Sequence, residues 1–283
     1  MYSERIMIYT QDKVNLHTHS FYCIHGTGRI SEYISEAQKA GLQVLGFSEH
    51  VPLPDREYRK GDRMTYPQLP LYEKDVLEAR KTSKTVVLLG MECDWLPDEV
   101  SYYRDELLSR RGYDYLIGAV HHMINPATGV EKYLGRIPSL PVKTLMDYVD
   151  IYNAGIASGL FIFCAHPDLV FAAYKDWDAN AVAASRDIIR CAKQFDMPLE
   201  INGYGLVKPP VDTPQGPRPM YPVRQFWEMA LEEGVRVVAN SDAHRPEDVA
   251  SNMFGAMDFA KSMGIKLCTY DIDLTSTVRV RVL

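Results

Sequence analysis

The sequence predicts an α/β fold closed as a single barrel of seven βα units. Three observations carry that prediction. Seven short, β-prone apolar runs recur along the chain, and most are followed by polar or turn residues and then an amphipathic stretch, the pattern of parallel strands joined by helices. No long linker, low-complexity tract or short repeat interrupts them. The length, 283 residues, exceeds the usual figure of roughly 150 per domain, but α/β barrels of roughly 250 commonly form one domain. Residues 1–283 are therefore read as one barrel domain, favoured over a doubly wound open sheet.

The first strand is expected at 14–16, with an amphipathic helix at 30–40. The run at 44–47 gives the second strand and 70–83 its helix. The buried-looking stretch TVVLLGM supplies the third strand at 86–91, followed by a helical stretch at 98–110. The fourth and fifth strands, 115–120 and 161–165, precede helices 142–158 and 179–195. The sixth and seventh, 199–201 and 235–239, precede helices 222–233 and 246–263. Two loops stand out: residues 51–70 hold four prolines with Arg56, Arg59, Lys60 and Arg63, and residues 208–222 hold six prolines. Long Pro-rich loops inside compact domains serve as lids and binding loops, or are solvated insertions.

Composition removes several functions. With 46% hydrophobic and 24% charged residues the chain can form a sizeable core and is not a long disordered segment. A net charge of −6 argues against a sequence-independent grip on nucleic acid, which needs a basic surface. Apolar stretches such as 159–165 fall far short of the roughly 20 residues of a membrane span. The opening MYSERIMIYT, with Glu4 and only a brief apolar run, does not read as a secretory signal. Cys23, Cys93, Cys164, Cys191 and Cys268 are odd in number, scattered and without a C-x-x-C pair, as expected of thiols in a reducing cytoplasm.

The histidines point to the chemistry. His17, His19, His25, His50, His121, His122, His166 and His244 all lie at, or within about ten residues after, the C-terminal end of a predicted strand. In a parallel barrel those ends converge on the face where loops build the active site. Glu49, Glu92, Asp94, Asp168, Glu200 and Asp242 share the position. Imidazoles and carboxylates gathered in one pocket need a compensating cation, and a divalent metal is the economical one. Each piece also has a plainer reading. His17-Thr18-His19 has period two, so both rings can chelate one ion or form a surface pair. Glu92 could cap a helix or join a buried ion pair, Asp168 could cap the next helix, and Ser241 to His244 could form a cap box. The set carries more weight than any member.

Taken in order, NLHTHS, His25, FSEH, GMECD, GAVHH, AHPDL, EING and NSDAH resemble the PHP (polymerase and histidinol phosphatase) family, and among its branches most resemble the histidinol-phosphate phosphatases. The likeness runs from Asn15 to about Met263. It implies a distorted (β/α)7, TIM-like barrel with three divalent ions, Zn, Fe or Mn, at the C-terminal ends of the strands. Carried over, His17, His19, Glu92 and Asp242 would hold one ion, Glu92 would bridge to a second held by His121 and His166, and His25, His50 and His244 would hold the third. His121 rather than His122 matches the family's glycine-small-valine-histidine pattern. Glu49 would orient a ligand.

Such a site suggests phosphoester hydrolysis. Closely spaced divalent ions bind a phosphoryl group and lower the pKa of a bridging water, and the resulting hydroxide would attack phosphorus in line. The sequence has no G-x-S-x-G elbow or Walker A loop to compete for the role. Asp242 or His244 would assist the leaving alkoxide, so Asp242, His244 and Glu92 are the catalytic candidates. Lys208, in a loop where the family often has an Arg-Lys pair and this chain has Val207, is a phosphate-binding candidate with Arg218 and the basic cluster of 51–70. Tyr204 and Trp95 are candidates for the rest of the substrate. The resemblance implies hydrolysis of L-histidinol phosphate to L-histidinol and phosphate, in histidine biosynthesis, with a small-molecule phosphate monoester as partner and neither nucleic acid nor membrane. The alternatives are a phosphoesterase acting on nucleotides or oligonucleotide ends, and a non-catalytic metal-binding module. Amidohydrolases, which also have histidine-rich barrels, normally have eight strands and a bridging lysine where Glu92 stands here.

Overall fold

Short runs rich in Val, Leu, Ile and Phe suit strands buried on both faces. The computed structural model describes residues 6–56, 58–59, 61–125, 127–274 and 278–283, and in it all seven runs join one parallel sheet. The strands are β1 (Val14–Asn15), β2 (Val44–His50), β3 (Val86–Asp94), β4 (Tyr115–Ala119), β5 (Phe163–Cys164), β6 (Leu199–Asn202) and β7 (Val237–Asn240), and their order in the sheet is their order in the chain. β2 and β3 extend beyond the predicted ends because their ladder continues from Val44↔Val86 to His50↔Glu92. That register sets a histidine beside a glutamate at the mouth.

Alternation along each strand divides the core in two. Val44, Leu88, Ile117, Phe163 and Val238 pack inside the barrel, while Leu45, Phe47, Val87, Leu89 and Leu116 pack outward against the helices. A Cβ on Gly46 or Gly90 would lie 2.1 or 2.2 Å from Tyr115. These glycines make room for the Tyr115 ring, whose hydroxyl crosses to donate to the Leu16 carbonyl at 2.7 Å.

The distortion lies in the seam. β1 and β7 share no ladder, and side chains stand in for one. The Gln11 amide accepts from the Ala239 N–H at 3.0 Å and donates to the Ala239 carbonyl at 2.6 Å, the pair of bonds a neighbouring strand would make. Asn240 Oδ1 accepts the Leu16 N–H at 2.9 Å, and Asn15 Nδ2 donates to Ser241 Oγ at 2.7 Å. Beyond them a single bridge, Thr18↔Ala243, closes the mouth.

Helices α1 (Ile30–Lys39), α2 (Leu69–Thr82), α3 (Val142–Ala157), α4 (Ala179–Gln194), α5 (Arg224–Glu233) and α6 (Asp248–Ser262) occupy the predicted stretches. α1 buries Ile30, Tyr33, Ile34 and Ala37 at helical spacing. The stretch expected at 98–110 differs: after a 3₁₀ turn it winds as a π-helix, Tyr102–Arg110, closed by Arg111 N–H to the Glu106 carbonyl. Tyr102, Tyr103 and Leu107 are buried. An α-helix would spread those three over about 140° of arc; the wider i→i+5 winding narrows that face.

Among the described residues, seven further strands lie outside the predicted runs. Ile6–Tyr9, Tyr270–Asp273 and Arg279–Val282 form an antiparallel sheet whose Tyr270, Ile272 and Val280 pack onto the N-terminal end of the barrel core. Hairpins His122–Asn125/Val130–Tyr133 and Val211–Thr213/Gly216–Arg218 rise from the loops after β4 and β6. Among the described residues, no helix is long and apolar enough to cross a membrane. Glu4 and Lys60 lie outside the described residues.

Candidate metal centre

The strand ends converge on Glu92, which is 1% exposed. Its carboxylate lies 3.4 Å from His17 Nε2, 3.4 Å from His19 Nε2, 2.8 Å from His50 Nδ1, 3.2 Å from His121 Nε2 and 3.1 Å from His166 Nε2. His17 Nε2 and His19 Nε2 are 3.1 Å apart, and Asp242 Oδ1 is 3.5 and 3.1 Å from them. Donors bound to one tetrahedral ion at about 2.1 Å stand about 3.4 Å from one another. His17, His19, Glu92 and Asp242 match that spacing. His19, His50 and His244 form a second close set, and His50, Glu92 and His121 a third. Glu92 Oε2, Asp242 Oδ1, His166 Nδ1 and His244 Nε2 are buried without hydrogen-bond partners among the described residues. Unpaired donors at this spacing fit divalent metal.

Strand parity aims most of these side chains. His50, Glu92, Asp94 and His121 continue the inward sets of β2, β3 and β4. His17 and His19 face one side, as period two predicts, just past β1. His166 and Asp242, past β5 and β7, adopt left-handed backbone with φ of 31° and 50°. Non-glycine residues rarely sit there, and such strain clusters at functional sites.

Surrounding groups fix the rings. His17 Nδ1–H donates to Glu200 Oε1 at 2.8 Å, and Glu200 also accepts from Asn202 and Asn240. Asn202 Nδ2 reaches Asp242 Oδ2 at 3.1 Å. His121 Nδ1 lies 2.9 Å from Asp94 Oδ1, and Asp94 is also paired with Arg59 and Arg63. Glu49 accepts the Ser20 N–H and hydroxyl at 2.7 and 2.6 Å and stands 3.9 Å from His19 Nδ1. Carboxylate acceptors behind metal-ligating imidazoles set their tautomer. The sequence placed Glu200 at the strand end without a role, and Asn202 and Asn240 stood in the EING and NSDAH motifs, likewise without one.

Electrostatics follow from burial and proximity. Burial pushes Glu92 up, but His121, His17 and His50 outweigh it and hold it well below the carboxylate range. Burial lowers His121, yet Glu92 and Asp94 raise it to about 10. His50 and His244 are driven well below the usual imidazole value by burial and then by the neighbouring His19 imidazole. The carboxylates thus draw positive charge to the centre, which a divalent cation supplies in place of protons.

His25 is exposed, with its ring 4.6 Å from that of His244 and 5.4 Å from that of His50. His122 turns away from Glu92 into the wall of the cleft, its Nε2 3.7 Å from Asp62 and its ring edge-on to Tyr133. The structure therefore brings His121, not His122, to Glu92. Over the centre lies a cleft of about 630 Å³ lined by Arg63, Tyr133, Arg136, Tyr204, Lys208 and Tyr221 among others. Arg136 gave no sequence signal. Arg218 is not brought there: its guanidinium donates to the carbonyls of Phe171, Pro219 and Met220, which hold the loop. Arg56 pairs with Glu99. Trp95 points out of the barrel because its parity is opposite to Glu92 and Asp94, and it packs on Gly155 and Phe161. Asp168 caps no helix of its own turn; it accepts the Val223 N–H at 2.6 Å and Trp227 Nε1–H at 2.9 Å, seating the start of α5. Nor do residues 241–244 form a cap box, since α6 starts later, at Asp248.

Fold and donor set together define a TIM-like barrel built to bind divalent metal. The pattern that describes the PHP domain matches residues 15–203, and the chain belongs to the PHP family. A protein of Deinococcus radiodurans bearing the name "Probable histidinol-phosphatase" is 30% identical over 257 residues, 90% of this chain and 95% of that one. One of the same name from Schizosaccharomyces pombe is 23% identical, over 90% and 88%. The crystal structure of histidinol phosphate phosphatase from Lactococcus lactis, complexed with zinc, L-histidinol and phosphate, shares the fold at a TM-score of 0.68 and 17% identity, covering 93% of this chain and 98% of that one.

Proposed function

We propose that the protein is a metal-dependent phosphomonoesterase that hydrolyses L-histidinol phosphate to L-histidinol and inorganic phosphate, a step of histidine biosynthesis. One observation carries the reaction class: five imidazoles meet a single buried carboxylate, Glu92, under a cleft of about 630 Å³, roomy enough to admit a small phosphate ester. The substrate is supported by the names of the relatives that match nearly end to end.

His17, His19, Glu92 and Asp242 would hold one divalent ion, Glu92, His121 and His166 a second, and His25, His50 and His244 a third, with Zn, Fe and Mn all suited to this mixture of imidazole and carboxylate. Such ions, when bound, neutralise a phosphoryl group and lower the pKa of the attacking water. The protein's own groups do the rest. Glu200 and Asp94 hold His17 and His121 in the tautomers that present Nε2 to the centre. Lys208 and Arg136 face the cleft as cations for the phosphoryl oxygens. Asp242 or His244, at the mouth, would assist the departing alkoxide as it takes its proton from water. Five free cysteines among the described residues suit a cytoplasmic enzyme.

The test is phosphate release by the purified, metal-loaded protein from histidinol phosphate, an aryl phosphate and short DNA. A kcat/KM higher by orders of magnitude for histidinol phosphate is expected, since that ratio measures transition-state discrimination. Activity on DNA ends alone would replace this reading with that of a nucleic-acid phosphoesterase.

A further inference from the structure

Lys208 has an unusual setting for an ammonium group. Its Nζ donates to the Tyr133 hydroxyl at 2.7 Å and lies 4.3, 5.0 and 5.4 Å from the ring centres of Tyr204, Tyr133 and Tyr221. It forms no ion pair with a carboxylate among the described residues. Tyr204 stacks on His244 at 4.6 Å and Tyr221 lies 5.6 Å from His166, so the tyrosine cage is continuous with the candidate metal ligands. Aromatic faces make a partly desolvated cation tolerable without neutralising it. The charge stays available to an anion entering the cleft. Tyr133 ends the hairpin after β4, and Lys208 follows the helical turn Tyr204–Val207 after β6, so the hydroxyl joins two separate loops.

We infer that Tyr133 is the positioning residue of the anion site: its hydroxyl, reached only through the hairpin, fixes the Lys208 ammonium over the metal centre to receive the phosphoryl group. This rests on the phosphoesterase reading, and it concerns a residue for which the sequence offered no signal. Only one of the three ammonium N–H groups is taken by Tyr133, leaving two for phosphoryl oxygens. Loss of the hydroxyl would free the flexible lysine stem while leaving the ring in place.

The experiment is a double-mutant cycle with Tyr133→Phe and Lys208→Met, read as the affinity of the zinc-loaded protein for inorganic phosphate by calorimetry, beside bound zinc and KM and kcat. Tyr133→Phe is expected to weaken phosphate binding about tenfold, the scale of one hydrogen bond to a charged group. KM should rise more than kcat falls, and bound zinc should be unchanged. In the Lys208→Met background the same change should have no further effect, because Tyr133 acts through the ammonium. An additive effect in that background, or wild-type phosphate affinity in Tyr133→Phe, would overturn the inference. Phosphate binding that follows this pattern without turnover of histidinol phosphate would instead count against the substrate and leave the anion site standing.

Discussion

Glu92 and Glu200 differ in what their loss should do, although both are buried carboxylates on inward-facing positions. Glu92 is shared by five imidazoles, so Glu92→Ala should lower bound metal and reduce turnover by about a thousandfold or more, the scale of losing metal assistance. Elemental analysis alongside phosphate release checks this, and full metal content would contradict the shared role. Among the described residues Glu200 hydrogen-bonds with His17 Nδ1 and two amides. Glu200→Ala should weaken metal affinity by about 10–100-fold while a saturating supply restores activity, the behaviour of a group that orients a ligand. A chelator competition titration separates the two cases. At this scale the sequence was informative where residue type and strand-end position coincide, as for His17, His19, His50 and Glu92, while His121 was separated from His122 by the family's glycine-small-valine-histidine pattern. It was silent on Tyr133 and Arg136, because their arrival at the cleft depends on a hairpin whose strands are too short and polar to carry an apolar period. It misled on Trp95 and Arg218, where nearness in sequence to the site is undone by strand parity and by a local carbonyl cage.

Among the elements, the seven barrel strands were legible because burial on both faces forces continuous apolar runs, and their helices because one face alone is apolar. The terminal sheet was not, since segments such as Arg279–Val282 alternate charged and apolar residues over only four positions. Neither was the seam, where amides imitate backbone. Gln11→Ala would leave the Ala239 N–H and carbonyl buried and unpaired, at a cost of about 2–4 kcal/mol. The urea midpoint should fall accordingly with little change in slope. A midpoint within error of the wild type would mean that β7 finds other partners for these groups.

For the molecule as a whole, folding and metal binding are linked, because the donors that repel or orphan one another in the folded chain are satisfied by cations. With free metal at about a hundred times its dissociation constant the folded state gains about 2.7 kcal/mol. Chelation should therefore lower Tm by about 4–5 °C for a chain of this size. Calorimetric scans before and after chelation, with re-addition of zinc, measure it, and an unshifted Tm would mean that the cluster gains nothing from metal. The antiparallel sheet of Ile6–Tyr9, Tyr270–Asp273 and Arg279–Val282 stoppers the end of the barrel opposite the mouth. Anchoring to a resin through that underside would leave substrate access untouched, and an immobilised catalyst attached there should keep the turnover of the free enzyme.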